Sequence, residues 1–341
     1  MIQEVISILV QKQDLTQKET EQVMNEIMEG KATDLQIAGF LVALKSKGET
    51  INEITACAKI MRQKAHSINP KVSHLVDTCG TGGDNSNTFN ISTAAAFVVG
   101  GAGIHVAKHG NKSISSKCGS ADVLKELGVF IELHPKQVER CIEDVGIGFM
   151  FAPIFHPAMR YAANARKELG ISTVFNILGP LTNPANAKSQ LIGVFSENLL
   201  MDIVNVAKNL GSRHVIAVNG NGLDEITICA KTKLCELKNG SVESYYMSPE
   251  DFGFKLGSLD EIRGSSPKEN AKIILEVLNG AKGPKRDVVL LNAAAALLAS
   301  DIASDYGDSL ELAAHSIDSG KALEKLNGLV EFTSKNAGLN T

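Results

Sequence analysis

The chain has 341 residues, of which 44% are hydrophobic and 21% charged, and its formal net charge is −4. This length supports a large core and more than one structural unit, and the composition is that of an ordinary folded protein. The charge provides no global positive field, so we expect no nucleic-acid partner and no attraction to an anionic membrane.

Targeting and redox signals are missing from the sequence. The longest apolar run, residues 94–99, is too short to span a bilayer, and the first residues do not follow a signal-peptide pattern. The six cysteines form no CxxC pair, which argues against a zinc site or a redox motif. Scattered single cysteines are typical of a reducing compartment, and we expect a cytoplasmic protein.

The first part of the chain predicts a small helical unit. Three capping boxes, in which a threonine and a Glu or Gln three residues later bond each other's backbone donors, begin at Thr16, Thr33 and Thr50. Helices are predicted over 2–11, 17–29, 34–47 and 51–65. Pro70 marks a boundary, so we expect a small all-α domain over 1–70 and a large α/β domain over 71–341.

Beyond Pro70, strands and helices alternate. Strands are predicted over 75–78, 104–107, 130–133, 148–151, 191–195 and 215–219, with helices over 90–102, 120–127, 136–144, 157–169 and 198–210. This alternation indicates a mainly parallel central sheet flanked by helices. Residues 225–247 predict two or three short hairpin strands, and helices follow over 268–279, 285–300 and 308–325.

A glycine-rich loop, Gly80-Thr81-Gly82-Gly83-Asp84, joins the strand at 75–78 to the helix that begins near Asn90. Glycines let the main chain approach an anion, and the following helix N-terminus adds unpaired N–H donors. The spacing is neither a P-loop nor a dinucleotide fingerprint. A simple tight turn is the alternative, but Asp84 would repel a phosphate unless a cation such as Mg²⁺ lay between them.

A second loop, residues 108–120, combines lysines, a histidine and several serines, among them Ser113, Ser115 and Ser116. Lysines supply point charge for a phosphate, and serines with glycine amides supply directed donors. Ser120 is placed at the N-cap of the next helix. A solvated basic turn is the alternative. Because both loops follow parallel strands, they should meet at one edge of the sheet and cradle two phosphate groups.

An acidic pair, Asp224 and Glu225, follows a Gly-Asn-Gly turn after the strand at 215–219. Mg²⁺ needs only one or two carboxylates in addition to water and phosphate oxygens, so the pair suits that ion. Solvated turn acids are the alternative. The pair becomes a magnesium hypothesis only together with Asp84.

With these motifs the sequence resembles the anthranilate phosphoribosyltransferase family. The resemblance covers nearly the whole chain and is carried by residues 80–84, 90–93, 108–111, 179–184 and 222–225, in that order. It implies transfer of the phosphoribosyl group of 5-phosphoribosyl-1-diphosphate to the amine of anthranilate, in tryptophan biosynthesis. It also implies a homodimer formed through the helical domain, which helices within 155–187 join in space.

The resemblance also implies site residues. The donor, 5-phosphoribosyl-1-diphosphate, would be bound by Gly80, Thr81, Gly83, Asp84, Thr88, Asn90, Ser92, Thr93, Lys108 and Ser120. Anthranilate would be bound by Gly80, His109, Asn111, His156, Tyr161 and Arg166. Mg²⁺ would be held by Ser92, Asp224 and Glu225. No catalytic nucleophile of the enzyme is expected, because the aniline-type nitrogen of anthranilate is already uncharged at neutral pH. Catalysis would come from positioning the substrates and from Mg²⁺.

Three departures from the family pattern lie near the implied acceptor site. Lys112 and Ser172 each stand where the family usually has Arg, and Asn164 stands where it usually has Pro. Lys keeps the charge of Arg but loses its planar fork. Without the resemblance, Arg166 would be a helix-face arginine in a solvated pair with Glu168, and His156 would only cap a helix.

Two other functions are compatible with this architecture. A pyrimidine nucleoside phosphorylase would use free phosphate without catalytic magnesium, and the 80–84 loop and the acidic pair argue against it. A non-catalytic relative that binds nucleic acid would need a basic surface, which the net charge of −4 disfavours.

Overall fold

The structure is a computed structural model that describes residues 1–84, 86–113 and 117–338. The strands are β1 Leu75–Gly80, β2 His105–Gly110, β3 Ile147–Phe151, β4 Ser189–Gly193, β5 His214–Asn219, β6 Thr232–Lys238 and β7 Ser241–Met247. The helices are α1 Ile2–Val10, α2 Gln17–Met28, α3 Asp34–Lys47, α4 Ile51–Gln63, α5 Ile91–Gly101, α6 Ser120–Glu126, α7 Pro135–Val145, α8 Ala152–Phe155, α9 Arg160–Leu169, α10 Val174–Leu178, α11 Leu200–Asn209, α12 Pro267–Leu278, α13 Pro284–Ala299, α14 Tyr306–Asp318 and α15 Lys321–Asn336.

The strands form one seven-stranded sheet in the order β3-β2-β1-β4-β5-β6-β7. The first five strands pair in parallel, and β6 and β7 extend the sheet as an antiparallel hairpin. The chain runs outward from β1 to β3 and then returns to β4 on the other side of β1. This reversal opens a crevice at the carboxyl ends of β1 and β4, where open α/β sheets bind ligands. The predicted mainly parallel α/β fold is confirmed.

Alternating strand residues divide the core between the two faces of the sheet. Val76 and Ile216 belong to a cluster with α5 and α13. Both helices are apolar nearly all round, as expected for helices buried inside a layer. Ile192 and Val215 belong to a second cluster that continues through α11 into α1–α4. The N-terminal helices therefore share a core with one face of the sheet.

All three predicted capping boxes form, with both reciprocal bonds present at Thr16, Thr33 and Thr50. Two later helices join the N-terminal helices: α9 packs against α2 and α3, and α10 packs against α3 and α4. Arg62, near the end of α4, donates from Nε to the Leu181 carbonyl at 2.7 Å. These contacts attach the helical unit to the segment that follows β3.

Two predicted elements were wrong. Residues 130–133 form no strand; Phe130 instead donates its N–H to Thr333 Oγ1 on α15 at 3.1 Å. The helix predicted over 308–325 is two helices, because Gly320 adopts φ 80° and turns the chain between α14 and α15. The region 225–247 holds one hairpin, whose turn places Asn239 and Gly240 at positive φ.

Within the described ranges, no helix is long and apolar enough to cross a membrane. No disulfide joins any of the six cysteines, all of which lie within the described ranges.

Candidate active site

The glycine loop leaves β1 at the crevice and turns beside the acidic pair. Gly82 and Gly83 adopt φ of 62° and 84°, a left-handed conformation that glycine reaches without a steric cost. The N–H of Gly82 donates to Asp224 Oδ2 at 2.9 Å. The loop and the acidic pair, distant in sequence, therefore form one surface.

Two glycines make this approach possible. A Cβ added to Gly80 would lie 2.7 Å from Asp224 Oδ2, and one added to Gly193 would collide with the backbone carbonyl of Asp224. Thr81 ties the same strand ends together, since its N–H donates to the Gly193 carbonyl at 2.8 Å. Its hydroxyl accepts from the Phe195 N–H at 3.1 Å, so this side chain faces β4.

Hydrogen bonds from two asparagines hold the turn that carries the acidic pair, one before the turn and one on α13. Asn219, the last residue of β5, donates to the Val194 carbonyl at 2.7 Å and accepts from the Gly222 N–H at 2.9 Å. Asn292 of α13 clamps Ile226, accepting from its N–H at 3.0 Å and donating to its carbonyl at 2.8 Å. Asp224 and Glu225 are thereby held against the glycine loop.

Burial and mutual repulsion raise the pKa values of these two carboxylates. Burial and the neighbouring Asp84 together raise the pKa of Asp224 to about 7. Burial also raises the pKa of Glu225 well above its ordinary value, reinforced by Asp224 and opposed by Lys108. Among the described residues no three acidic, His or Cys side chains converge tightly enough to hold a metal alone. Mg²⁺ needs only one or two carboxylates besides phosphate oxygens, so the uncompensated pair fits that ion.

Lys108 is the buried cation of the site. Its Nζ donates to the Thr78 carbonyl at 2.6 Å and to Ser92 Oγ at 3.3 Å, and its side chain is only 3% exposed. Burial lowers the pKa of Lys108, whereas Asp77 and Glu225 raise it. The lysine therefore links β2 to the first turn of α5, where Ser92 lies beside the acidic pair.

The first turn of α5 presents one hydroxyl that the described residues leave without a partner. Thr93 Oγ1 is buried and has no hydrogen-bond partner in the part of the chain that the structure describes. Asn90, at the N-cap, makes no cap with its side chain; it donates to the Cys118 carbonyl at 3.1 Å and accepts from Asn270 at 2.9 Å. Asn90 thus braces the second loop. Thr88 lies further out, bridged to Arg263.

The second loop differs in detail from the prediction. Gly119 is the N-cap of α6 and Ser120 is its first residue, with Ser120 Oγ donating to the Asn111 carbonyl at 3.4 Å. The Asn111 side chain is exposed and accepts from the Lys112 N–H at 2.8 Å. Ser115 and Ser116, predicted as phosphate donors, lie outside the described residues.

Two histidines pack together on the opposite side of β2 from Lys108. The rings of His109 and His156 lie 5.0 Å apart, and His109 Nδ1 lies 3.2 Å from the Gly179 carbonyl. Both Nε2 atoms are buried without a hydrogen-bond partner among the described residues. Burial lowers the pKa of His156 to about 3 and lowers that of His109, so both rings are neutral near pH 7.

Helix α9 carries the remaining predicted acceptor residues. The Arg166 guanidinium lies 5.2 Å from the centre of the Phe175 ring, and no ion pair with Glu168 forms. The Tyr161 ring lies over Gly30, and its hydroxyl accepts from Arg160 at 2.7 Å. No contact among the described residues joins either side chain to the histidine pair.

Two of the three departures from the family pattern have identifiable contacts. Asn164 donates to Asp34 Oδ2 at 2.6 Å and so connects α9 to α3. Lys112 Nζ lies 5.8 Å from the centre of the Phe151 ring. Ser172 is exposed, and nothing in the structure explains it.

Sequence reasoning missed Asp77 and Asn183, which are buried behind the site. Asp77 accepts from the His109 N–H at 3.3 Å and from Asn183 Nδ2 at 2.7 Å, and the same amide donates to the Ala107 carbonyl at 2.9 Å. A carboxylate inside a strand was the available signal, because a buried acid requires partners. Gly193 was also missed, although a glycine in a strand indicates close backbone approach.

The N-terminal helices and the sheet region match the two domains of a known enzyme family. The glycosyl transferase family matches the chain over residues 3–65 as its helical bundle domain and over 72–323 as its a/b domain. The molecule is therefore a member of the glycosyltransferase class. Its relatives at high sequence identity are anthranilate phosphoribosyltransferases, and within the glycosyltransferase class the chain belongs to that family.

Three comparisons illustrate this membership. Anthranilate phosphoribosyltransferase of Acetivibrio thermocellus is 54% identical over 335 residues, covering 98% of this chain and 97% of the relative. The crystal structure of the Thermus thermophilus enzyme has a TM-score of 0.91 at 39% identity, covering 97% of this chain and 99% of the other. The Saccharomyces cerevisiae enzyme in complex with PRPP and Mg has a TM-score of 0.91 at 28% identity, covering 98% of each chain.

Proposed function

We propose that this protein transfers the phosphoribosyl group of 5-phosphoribosyl-1-diphosphate to the amine of anthranilate, releasing N-(5-phosphoribosyl)anthranilate and diphosphate in tryptophan biosynthesis. One observation carries the proposal: the half-buried carboxylates Asp224 and Glu225 lie against a glycine loop and a helix N-terminus. Carboxylates there would repel a phosphate alone but would accept a phosphate that arrives with a divalent cation.

The donor site is proposed to extend from the glycine loop to α5 and β2. Gly82 and Gly83 let the main chain come close to a bound phosphate. The Thr93 hydroxyl, which has no partner among the described residues, supplies a donor, and Lys108 supplies charge. The helix N-terminus adds a favourable field for an anion. Gly80, Thr81, Asp84, Asn90, Ser92 and Ser120 line or brace this region, and Thr88 would lie at its margin.

Ser92, Asp224 and Glu225 are proposed to hold Mg²⁺. The raised pKa values of both carboxylates indicate that the protein alone does not compensate their charge, which supports a cation there. The yeast relative was solved with PRPP and Mg. Bound Mg²⁺ would neutralise the charge that develops on the departing diphosphate.

The acceptor site is proposed to lie between the histidine pair and α9. Arg166 would bind the anthranilate carboxylate through charge-assisted hydrogen bonds, and Asn111, His109, His156 and Tyr161 would complete the channel. The Arg166 guanidinium has no ion pair among the described residues, which supports an anionic ligand for it. Gly80 would lie between the donor and acceptor sites. Catalysis then depends on bringing two anions together in the correct orientation.

We further propose that the chain divides near Pro70 into a helical and an α/β domain, with α9 and α10 completing the former, and that it forms a homodimer through the helical domain. Apolar side chains exposed on α1 and α3, Val10, Leu35 and Val42, support such an interface. A role in amino-acid biosynthesis suits a cytoplasmic location.

The loss of anthranilate fluorescence over time tests the reaction. We expect it to require enzyme, donor and Mg²⁺ together and to stop when EDTA is added. The paired replacement of Asp224 by Asn and Glu225 by Gln should remove the response to added Mg²⁺ without unfolding the chain. A response that persists would exclude these residues from the metal site. Phosphorolysis of thymidine or uridine in place of anthranilate turnover would identify a nucleoside phosphorylase instead.

A further inference from the structure

One ring nitrogen of His109 contacts a backbone carbonyl, and the other has no hydrogen-bond partner among the described residues. Its Nδ1 lies 3.2 Å from the Gly179 carbonyl, and because a carbonyl only accepts, Nδ1 must carry the hydrogen. The neutral ring therefore keeps its lone pair on Nε2. That atom is buried and unpartnered within the described ranges, so it lacks a hydrogen-bond donor. A buried acceptor without a donor indicates that a ligand supplies one.

The contacts around His109 fix the direction of this lone pair. Asp77 accepts from the His109 N–H, and Asn183 bonds both Asp77 and the Ala107 carbonyl. Asn183 also belongs to the segment whose Gly179 carbonyl binds the ring. The backbone and the imidazole of His109 are thus anchored by one buried network, which is the preorganisation that proton transfer requires.

On the basis of the proposed function, we propose that Nε2 of His109 accepts a hydrogen bond from the acceptor amine and then takes its proton. The amine lone pair forms the bond to the anomeric carbon of the donor. The bond between that carbon and the diphosphate oxygen breaks, and its electron pair leaves with diphosphate. The proton released by the new secondary amine passes to His109, which becomes an imidazolium.

The neighbouring charges favour His109 over His156 for this role. Burial lowers the pKa of His109, Asp77 on β1 raises it, and Lys108 on β2 lowers it. His156 lacks a comparable carboxylate, and burial with the nearby His109 lowers its pKa to about 3. Asp77 therefore makes His109 the better proton acceptor of the pair, while His156 is suited only to accepting a hydrogen bond.

Single-turnover kinetics of the Mg²⁺-loaded protein with anthranilate test this assignment, because they isolate bond formation from product release. His109→Gln retains a hydrogen-bond acceptor of similar reach but no basic nitrogen, and His109→Asn retains only a donor for Gly179. We expect both variants to slow bond formation by about 10²-fold. His105→Gln is the matched control: His105 is the first residue of β2, at the opposite end of the strand from the site, and its replacement should change the rate by less than about threefold.

The pH dependence provides a second readout that needs no variant. The wild-type single-turnover rate should fall as the pH drops through the pKa of His109, and the residual rate of His109→Gln should be flat over the same interval. A His109→Gln rate within threefold of wild type, or an unchanged pH profile, would overturn the assignment. A wild-type protein that does not consume anthranilate would overturn the proposed function itself, before any variant is compared.

Discussion

Arg166 carries a charge that the protein leaves available. Its guanidinium lies over the Phe175 ring, and it forms no ion pair in the described part of the chain. Burial lowers its pKa from the ordinary value of 12.5, but a guanidinium remains protonated in proteins. A half-buried cation without a counter-charge lowers stability and favours an anionic ligand.

Replacing Arg166 by Ala should raise the KM for anthranilate at least about tenfold, because a hydrogen bond to a charged group contributes about 1.5–3 kcal/mol. The KM for the phosphoribosyl donor should change little. Steady-state kinetics with each substrate varied in turn would measure both values. Lys167→Ala, an exposed cation on the same helix, is the control and should behave as wild type. An equal rise in both KM values would place Arg166 outside the acceptor site.

The low pKa of His156 has a consequence for acid stability. The unfolded imidazole binds a proton near pH 6.5, whereas the folded one does so only near about 3, so unfolding takes up a proton between these values. Stability should therefore fall as the pH drops below 6.5, by about 1.4 kcal/mol per pH unit from this group.

Urea unfolding at about pH 7, 6 and 5 would measure that slope. The variant His156→Gln should have a shallower loss of stability than wild type over this interval. His315→Gln, which changes an exposed histidine on α14, should leave the slope unchanged. If the wild-type and His156→Gln proteins lose stability in parallel, another group is responsible for the acid sensitivity.

At the scale of elements, the site depends on strand ends that come unusually close. The carboxyl end of β4 meets the turn after β5 at Gly193, where a Cβ would overlap the Asp224 backbone carbonyl. Backbone atoms cannot rotate away as a flexible side chain can. Gly193 therefore sets the position of the acidic pair without carrying any functional group.

Gly193→Ala should displace the turn that holds Asp224 and Glu225, and we expect weaker Mg²⁺ activation and a stability loss of about 1–3 kcal/mol from overpacking. Titration of activity with Mg²⁺ and thermal unfolding would measure the two effects. Gly179→Ala provides the comparison, since nothing lies within 4 Å of its added Cβ and its φ is −48°. A Gly193→Ala protein with wild-type Mg²⁺ activation would show that the turn adjusts freely.

At the scale of the whole molecule, the exposed apolar side chains on α1 and α3 are the basis for testing the proposed homodimer. Leu35 is 86% exposed and Val10 is 67% exposed, both on the N-terminal helices. Leu35→Lys should shift sedimentation toward the monomer by placing a charge in the proposed interface. Leu275→Lys on α12, where the side chain is 39% exposed, should leave the assembly unchanged. Equal sedimentation of all three proteins would place the interface elsewhere.

Local patterns in the sequence were sufficient for much of this architecture. The capping boxes at Thr16, Thr33 and Thr50 predicted three helix starts, because a cap is satisfied by residues within one turn. Strand–helix alternation predicted the parallel sheet. The strand expected at 130–133 failed, because the segment packs beside α15, and apolar alternation does not show whether a neighbouring strand is available.

Taken alone, the sequence determined the fold class, most of the order of elements and the positions of the glycine loop and the acidic pair, since these depend on residues close together in the chain. Only the tertiary structure decided which distant groups meet. It placed Asp224 against Gly82, opened room for that contact at Gly193, and oriented His109 through Asp77 and Asn183. Such contacts depend on the pairing of strands far apart in sequence, and no local pattern encodes that pairing.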